Sequence, residues 1–228
     1  VGIVDRPVVN RCSKLDLDPD SQKFQLNSQI FMPKAKLLAE IAGTNRGILA
    51  SSIDRQAILS AITELELLNP HPRPLTTAID LLAGDWRLLY TTSQGLLGID
   101  KFPLVKLGTI YQCVRPTNNA IYNIAEVSSL VPGLNGIVSI IATFTAVSES
   151  RVNVQFNRSL IGLRRLIDYS DPDRLITAIE NGQKFTAIDL PINRKEGRAP
   201  AWLEVTYLDE TLRIGRGNEG SVFVLTKS

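Results

Sequence analysis

The two ends of the second half of this chain are written as partner strands. Tyr207-Leu-Asp-Glu-Thr-Leu-Arg-Ile-Gly-Arg-Gly-Asn-Glu-Gly-Ser-Val-Phe-Val-Leu-Thr-Lys-Ser228 reads as two short strands joined by a glycine-marked turn, with Arg213 and Arg216 in the first. Gly84-Asp85-Trp86-Arg87-Leu88-Leu89-Tyr90-Thr91-Thr92 reads as a third, far earlier in the chain. If the first and last strands of a sheet meet, the sheet closes on itself and has no edges. Closed barrels of this size commonly hold one apolar ligand.

Gly84 marks a change of hydrophobic period. Before it the spacing is helical: Leu37, Leu38 and Ile41 predict a short helix from Lys34 stopped at Gly43. Ile58, Ile62 and Leu65 predict a second, with Ser52 read as its N-cap and ended by Asn69-Pro70. A third short helix is expected over 75–82. After Gly84 the period is two, and strands are expected over 86–92, 107–115, 119–128, 137–147, 151–160, 183–189, 201–208, 211–216 and 221–226. The interval 162–182 breaks this pattern. Asp171-Pro172 opens a short helix striped by Leu175, Ile176 and Ile179 and stopped at Gly182, expected at a barrel rim as a lid or a plug.

No charged residue lies between Glu126 and Glu149. Length alone allows a membrane span, but Pro132, Gly133, Asn135 and Gly136 cluster near its start, so strand, turn and strand is the better reading. One face of that last strand carries Val138, Ile140, Ala142, Phe144 and Ala146. The next strand gives Val152, Val154, Phe156, Arg158 and Leu160 on one face, and the first gives Trp86, Leu88 and Tyr90. These residues enclose apolar volume, either as a ligand cavity or as a filled core. Arg158, on an apolar face, either holds a ligand oxygen or reaches solvent or an acid such as Asp168.

Composition excludes several classes. With 44% hydrophobic and 21% charged residues the chain is neither disordered nor polytopic, and a net charge of +2 without basic runs argues against nucleic acid. Cys12, Cys113 and one histidine supply no metal cluster, so no cofactor or metal is expected. Residues 1–31, rich in aspartate, fit neither a secretory signal nor a transit peptide. They are expected to be a poorly ordered extension or to precede a natural start at Met32, the single methionine.

Gly215-Arg-Gly-Asn-Glu-Gly220 matches a dinucleotide fingerprint, but a strand follows where the pyrophosphate needs a helix N-terminus, so it is read as a hairpin turn. His71 lies between prolines, and no nucleophile elbow or zinc motif occurs. The sequon Asn157-Arg-Ser159 carries no weight without a signal peptide. Arg164-Arg165 and Asn193-Arg-Lys-Glu-Gly-Arg198 are basic patches, solvated faces or contacts for an anionic bilayer.

Three separated blocks carry a resemblance. They are Leu37-Leu38 through Gly43-Thr-Asn-Arg-Gly47 with Leu65-Glu66 and Asn69-Pro70; Leu82-Ala-Gly-Asp-Trp-Arg-Leu-Leu-Tyr-Thr-Thr-Ser93; and Tyr207 through Leu225. Together they resemble the plastid-lipid-associated proteins, or fibrillins, of plastids and cyanobacteria. The resemblance implies a mainly β fold, a lipocalin-like antiparallel β-barrel over 84–228 with a helical N-terminal cap over 34–83 and a short inserted helix, residues 1–33 being an extension. It implies non-enzymatic handling of apolar isoprenoid or acyl lipids such as quinones, tocopherols or carotenoids. The expected partners are that lipid, a photosynthetic membrane touched peripherally and, in a scaffold reading with a filled barrel, other proteins. An enzyme acting on a lipid inside the barrel is a third, weaker reading.

Gly84-Asp85-Trp86 also resembles the lipocalin Gly-x-Trp signature, whose Trp packs beneath an Arg of the last strands. Arg213 and Arg216, read as sharing one strand face, leave that role open between them. Plant members begin with a long transit peptide, so the resemblance points to a cyanobacterial-type protein on the cytoplasmic side of the thylakoid, or in the plastid if the source is a plant or alga.

Overall fold

The computed structural model describes residues 19–93, 105–192 and 200–228. Cys12, the first eighteen residues of the expected extension and the basic loop 193–198 lie outside the described residues. The strands are β1 (Gly84–Thr91), β2 (Val105–Arg115), β3 (Ala120–Ser129), β4 (Gly136–Ala146), β5 (Arg151–Leu163), β6 (Ile188–Pro191), β7 (Ala201–Leu208), β8 (Leu212–Gly217) and β9 (Val222–Lys227). Eight of them form a closed antiparallel ring, β1-β2-β3-β4-β5-β7-β8-β9, completed where β1 meets β9 with Leu88 opposite Leu225. The fold is therefore a mainly β barrel, closed by the strands that the sequence marks as partners.

The four-residue β6 stands outside the ring, shorter than the strand expected over 183–189. It pairs with β5 over Arg158–Ile161, while β7 pairs with the same edge over Arg151–Val154. Between these two pairings the barrel wall parts.

Helices clad the barrel from outside. Helix α1 (Pro19–Ile41) begins well before Lys34, where the sequence pattern places it. The reason is that Ile30 is buried in one cluster with Leu37 and Ile41, so the apolar stripe continues across Pro33. Helix α2 (Ser52–Glu66) is capped by Ser51 rather than Ser52, in a reciprocal capping box with Asp54. Both helices pack on the outer faces of β1 and β7–β9 through Tyr90, Tyr207, Ile214 and Val224.

The expected helix over 75–82 is two single turns, α3 (Pro74–Thr77) and α4 (Ile79–Leu82), tucked beneath the barrel. Helix α5 (Pro172–Glu180) is N-capped by Asp171 as expected, but it is neither lid nor plug. It buries Leu175 and Ile176 against the outward residues Cys113, Tyr122, Ile124, Ile137 and Leu160. A stripe of three aliphatic side chains finds more apolar surface on that wall than a rim offers.

Of four register shifts in the described strands, two decide how the expected lumen residues face. Pairing shifts between Leu88 and Tyr90 on β1 and around Asn157 on β5. An extra residue reverses the in–out alternation beyond it. Leu88 and Phe156 therefore face the interior, while Tyr90 and Arg158 face outward.

Candidate functional site

The bottom of the barrel is sealed by chemistry written in β1 and β8. Trp86 is fully buried above Ala78 and Leu82, and its indole N–H donates to the Leu82 carbonyl at 2.9 Å. The Arg213 guanidinium lies 4.8 Å from the centroid of that indole and the Lys227 ammonium 4.6 Å, both within cation–π range. Lys227 also donates to the carbonyls of Leu81 and Ala83, which α4 leaves unsatisfied. Burial pushes the Arg213 guanidinium down to about 9, so it stays protonated at neutral pH. Burial, with Arg213 nearby, also lowers the Lys227 ammonium.

Arg213 and Arg216 do not share a face. They are three residues apart, and an odd spacing in a strand places them on opposite sides. Arg213 points inward opposite Leu225. Arg216 points outward and forms a two-pronged ion pair with Glu66 of α2, both contacts at 2.8 Å. The choice between them falls on Arg213.

Above this floor lies a cavity of about 1060 Å³. Its wall includes Leu88, Ile110, Ile121, Ile140, Val154, Phe156, Trp202, Phe223 and Leu225, with the amides of Gln112 and Asn123 among them. It opens where β6 and β7 diverge from β5, and Phe156, 41% exposed, stands in that opening. A volume of this size matches the upper end of small-molecule sites.

Of the residues that the sequence assigns to the lumen, Leu88, Ile140, Val154 and Phe156 lie on this wall. Val138 and Phe144 face inward by register, opposite Ala125 and Val154, and pack against the cluster around Trp86. Trp86 lies beneath the cavity, with Gly84 turning the chain into β1 at φ +114°. Tyr90 packs outward against α1 and α2. Arg158 pairs with Asp189 of β6 at 2.7 and 2.5 Å and not with Asp168, whose partner is Arg174. That guanidinium holds the Asp189 carboxyl below its ordinary value.

Gln112 and Asn123 are not among the residues expected from the sequence to line the lumen. Their signal is local: each is the one polar residue in an inward series, Ile110-x-Gln112-x-Val114 and Ile121-x-Asn123-x-Ala125. Among the described residues no group of His, Cys, Asp and Glu is arranged to hold a metal ion.

The PAP_fibrillin family model matches residues 32–226. The chain belongs to the PAP_fibrillin family. It is 36% identical over 227 residues to a light-induced chloroplastic protein of Solanum tuberosum, covering 88% of this chain and 68% of that one. It is 34% identical over 224 residues to a chromoplast-specific carotenoid-associated protein of Cucumis sativus (88% and 69% covered). Plastid lipid-associated protein 1 of Brassica campestris is 33% identical over 219 residues (85% and 66% covered). No solved structure matches.

The residue blocks singled out in the sequence supply joints of this fold. Gly47 sits at φ +100° so that its backbone passes under Thr91, whose N–H donates to the Arg46 carbonyl at 3.1 Å. Asn69 reads β7 with both ends of its amide, donating to the Thr206 carbonyl at 2.8 Å and accepting from the Leu208 N–H at 3.1 Å. Asp209 pins the β7–β8 turn by accepting from the amides of Thr211 and Leu212, while its other oxygen accepts from Lys34 and Tyr207. Burial pushes the Asp209 carboxyl up, but these hydrogen bonds outweigh it and hold it below its ordinary value.

Proposed function

We propose that this protein carries an apolar isoprenoid or acyl lipid, such as a quinone, tocopherol or carotenoid, without acting on it chemically, in a plastid or at another photosynthetic membrane. The observation that carries the reading is the cavity: about 1060 Å³, apolar in most of its wall, sealed below by Trp86 and open beside Phe156. Burying about 300 Å² of a prenyl or acyl tail yields about 7 kcal/mol before the costs of association. The alternative of a scaffold working through protein partners has less support, because its barrel would be filled. Among the described residues on the cavity wall, Glu219 is the one carboxylate and none is His or Cys, a set poor in acid–base groups. The plastid setting rests on the chloroplast and chromoplast names of the relatives.

The end of the barrel opposite Trp86 is the surface that would meet a bilayer. Leu130, Val131 and Leu134 are exposed at the β3–β4 hairpin, and exposed Leu166 and Arg165 stand beside it. Apolar side chains at a tip flanked by a cation suit a shallow contact with an anionic lipid surface.

The test is organic extraction of protein purified under mild conditions from its native host, followed by mass spectrometry. A quinone, tocopherol, carotenoid or acyl lipid at near-stoichiometric amount is expected, and Phe156→Glu should lose it while unfolding at the wild-type temperature. An empty extract from folded wild-type protein would replace the carrier with the scaffold.

A further inference from the structure

Gln112 and Asn123 stand near the cavity floor, one on β2 and one on β3, directly opposite each other. Gln112 is also the register partner of Trp86, so it lies at the level of the buried cation. An arginine has only donors. Arg213 therefore fixes the orientation of the Gln112 amide: its Oε1 accepts from the guanidinium, and its Nε2 must point the other way. That nitrogen donates to Asn123 Oδ1 at 3.0 Å, which turns Asn123 Nδ2 onward, to a long contact of 3.4 Å with the Ile140 carbonyl. The two amides are thus polarised as a relay that begins at a positive charge and ends in amide hydrogens on the cavity wall.

Among the described residues no carboxylate pairs with Arg213. Its charge is met by an indole face and an amide oxygen, and a buried charge so served leaves a positive potential in its neighbourhood. That potential favours a ligand atom that accepts a hydrogen bond over one that donates.

Resting on the carrier reading above, we propose that Gln112 and Asn123 form a head-group subsite for an sp² oxygen, the carbonyl or carboxylate of an otherwise apolar molecule. The ligand lies with this oxygen toward the floor and its tail toward Phe156. A pure hydrocarbon would fill the same volume without engaging the subsite.

Three probes with one C18 chain test this: oleic acid, methyl oleate and octadecene. Binding is read from the fluorescence of Trp202, which lines the cavity. The acid or the ester should bind about tenfold tighter than the hydrocarbon, the gain expected of one or two hydrogen bonds to a polarised donor. A preference for the acid alone marks a carboxylate site, and a preference shared by the ester marks a carbonyl site. Gln112→Leu and Gln112→Glu should bring the acid and the ester to within about twofold of octadecene on the same variant, since a leucine offers no donor and a glutamate would pair with Arg213 and offer the ligand an acceptor. Equal affinity for all three probes in the wild type, or a preference that survives Gln112→Glu, would overturn the subsite and leave the carrier intact. Failure of every probe to bind would overturn both. If a Gln112 variant does not fold, Asn123→Leu serves the same comparison, and the wild-type series stands without any variant.

Discussion

The guanidinium of Arg213 stacks on the indole of Trp86, 4.8 Å from its centroid, and so ties β8 to β1 through the barrel floor. Arg216, three residues on, clamps Glu66 on the outside of the same strand. One face of β8 thus seals the cavity while the other anchors α2.

The two arginines should therefore differ sharply on removal. Arg213→Ala uncovers the Trp86 ring and leaves the Gln112 oxygen without its donor, and should cost about 2–4 kcal/mol in urea unfolding. Arg216→Ala removes a partly exposed ion pair and should cost about 1 kcal/mol or less. Equal losses would mean that the floor stack has no special role.

Gly47 offers a backbone test. A Cβ there would stand 2.6 Å from the Thr91 carbonyl, at a φ of +100° that side chains rarely adopt. Gly47→Ala should cost about 2–4 kcal/mol. Gly182, at φ +70° with open space around it, should lose only about 1 kcal/mol on the same change. Thermal unfolding of the two variants side by side checks the difference.

Asp209 makes stability depend on acid. Its carboxyl is depressed in the folded protein, so it contributes stability above the unfolded aspartate value of about 3.9 and loses it as pH falls through the lower folded value. Urea midpoints measured from neutral pH down to strongly acid pH should decline below that range. In Asp209→Asn the decline should be shallower and the neutral-pH midpoint lower, because the Lys34 ion pair is gone.

At the β3–β4 hairpin, replacing Leu130, Val131 and Leu134 together by serine should release the protein from anionic lipid vesicles in a flotation assay without changing its unfolding temperature. These side chains are exposed and support no core. Undiminished flotation would place the membrane contact on another surface.

Much of this arrangement is legible in the residues. Period-two alternation bounds β1 to β5 and β7 to β9 within a few residues, and Asp171-Pro172 announces α5. The facing of individual side chains is less legible, because alternation counts residues and a bulge adds one without changing composition. That is why Trp86, Leu88 and Tyr90 read as one face, and why Val152 through Arg158 do too. Gln112 and Asn123 were legible only as polar interruptions, with nothing nearby in sequence to say that Arg213 lies beside them.

The sequence by itself determined the kind of protein this is: a closed β-barrel whose floor tryptophan, terminal hairpin and turn residues are local patterns that a single strand or turn must satisfy alone. The tertiary structure alone decided that the barrel is hollow, which arginine meets Trp86, and that α5 clads a wall instead of closing the mouth. Those outcomes depend on packing and pairing between segments a hundred residues apart in some cases, as Arg213 is from Gln112, 101 positions away. Register, bulges and the shared edge of β5 fix them, and none of these leaves a mark within one segment.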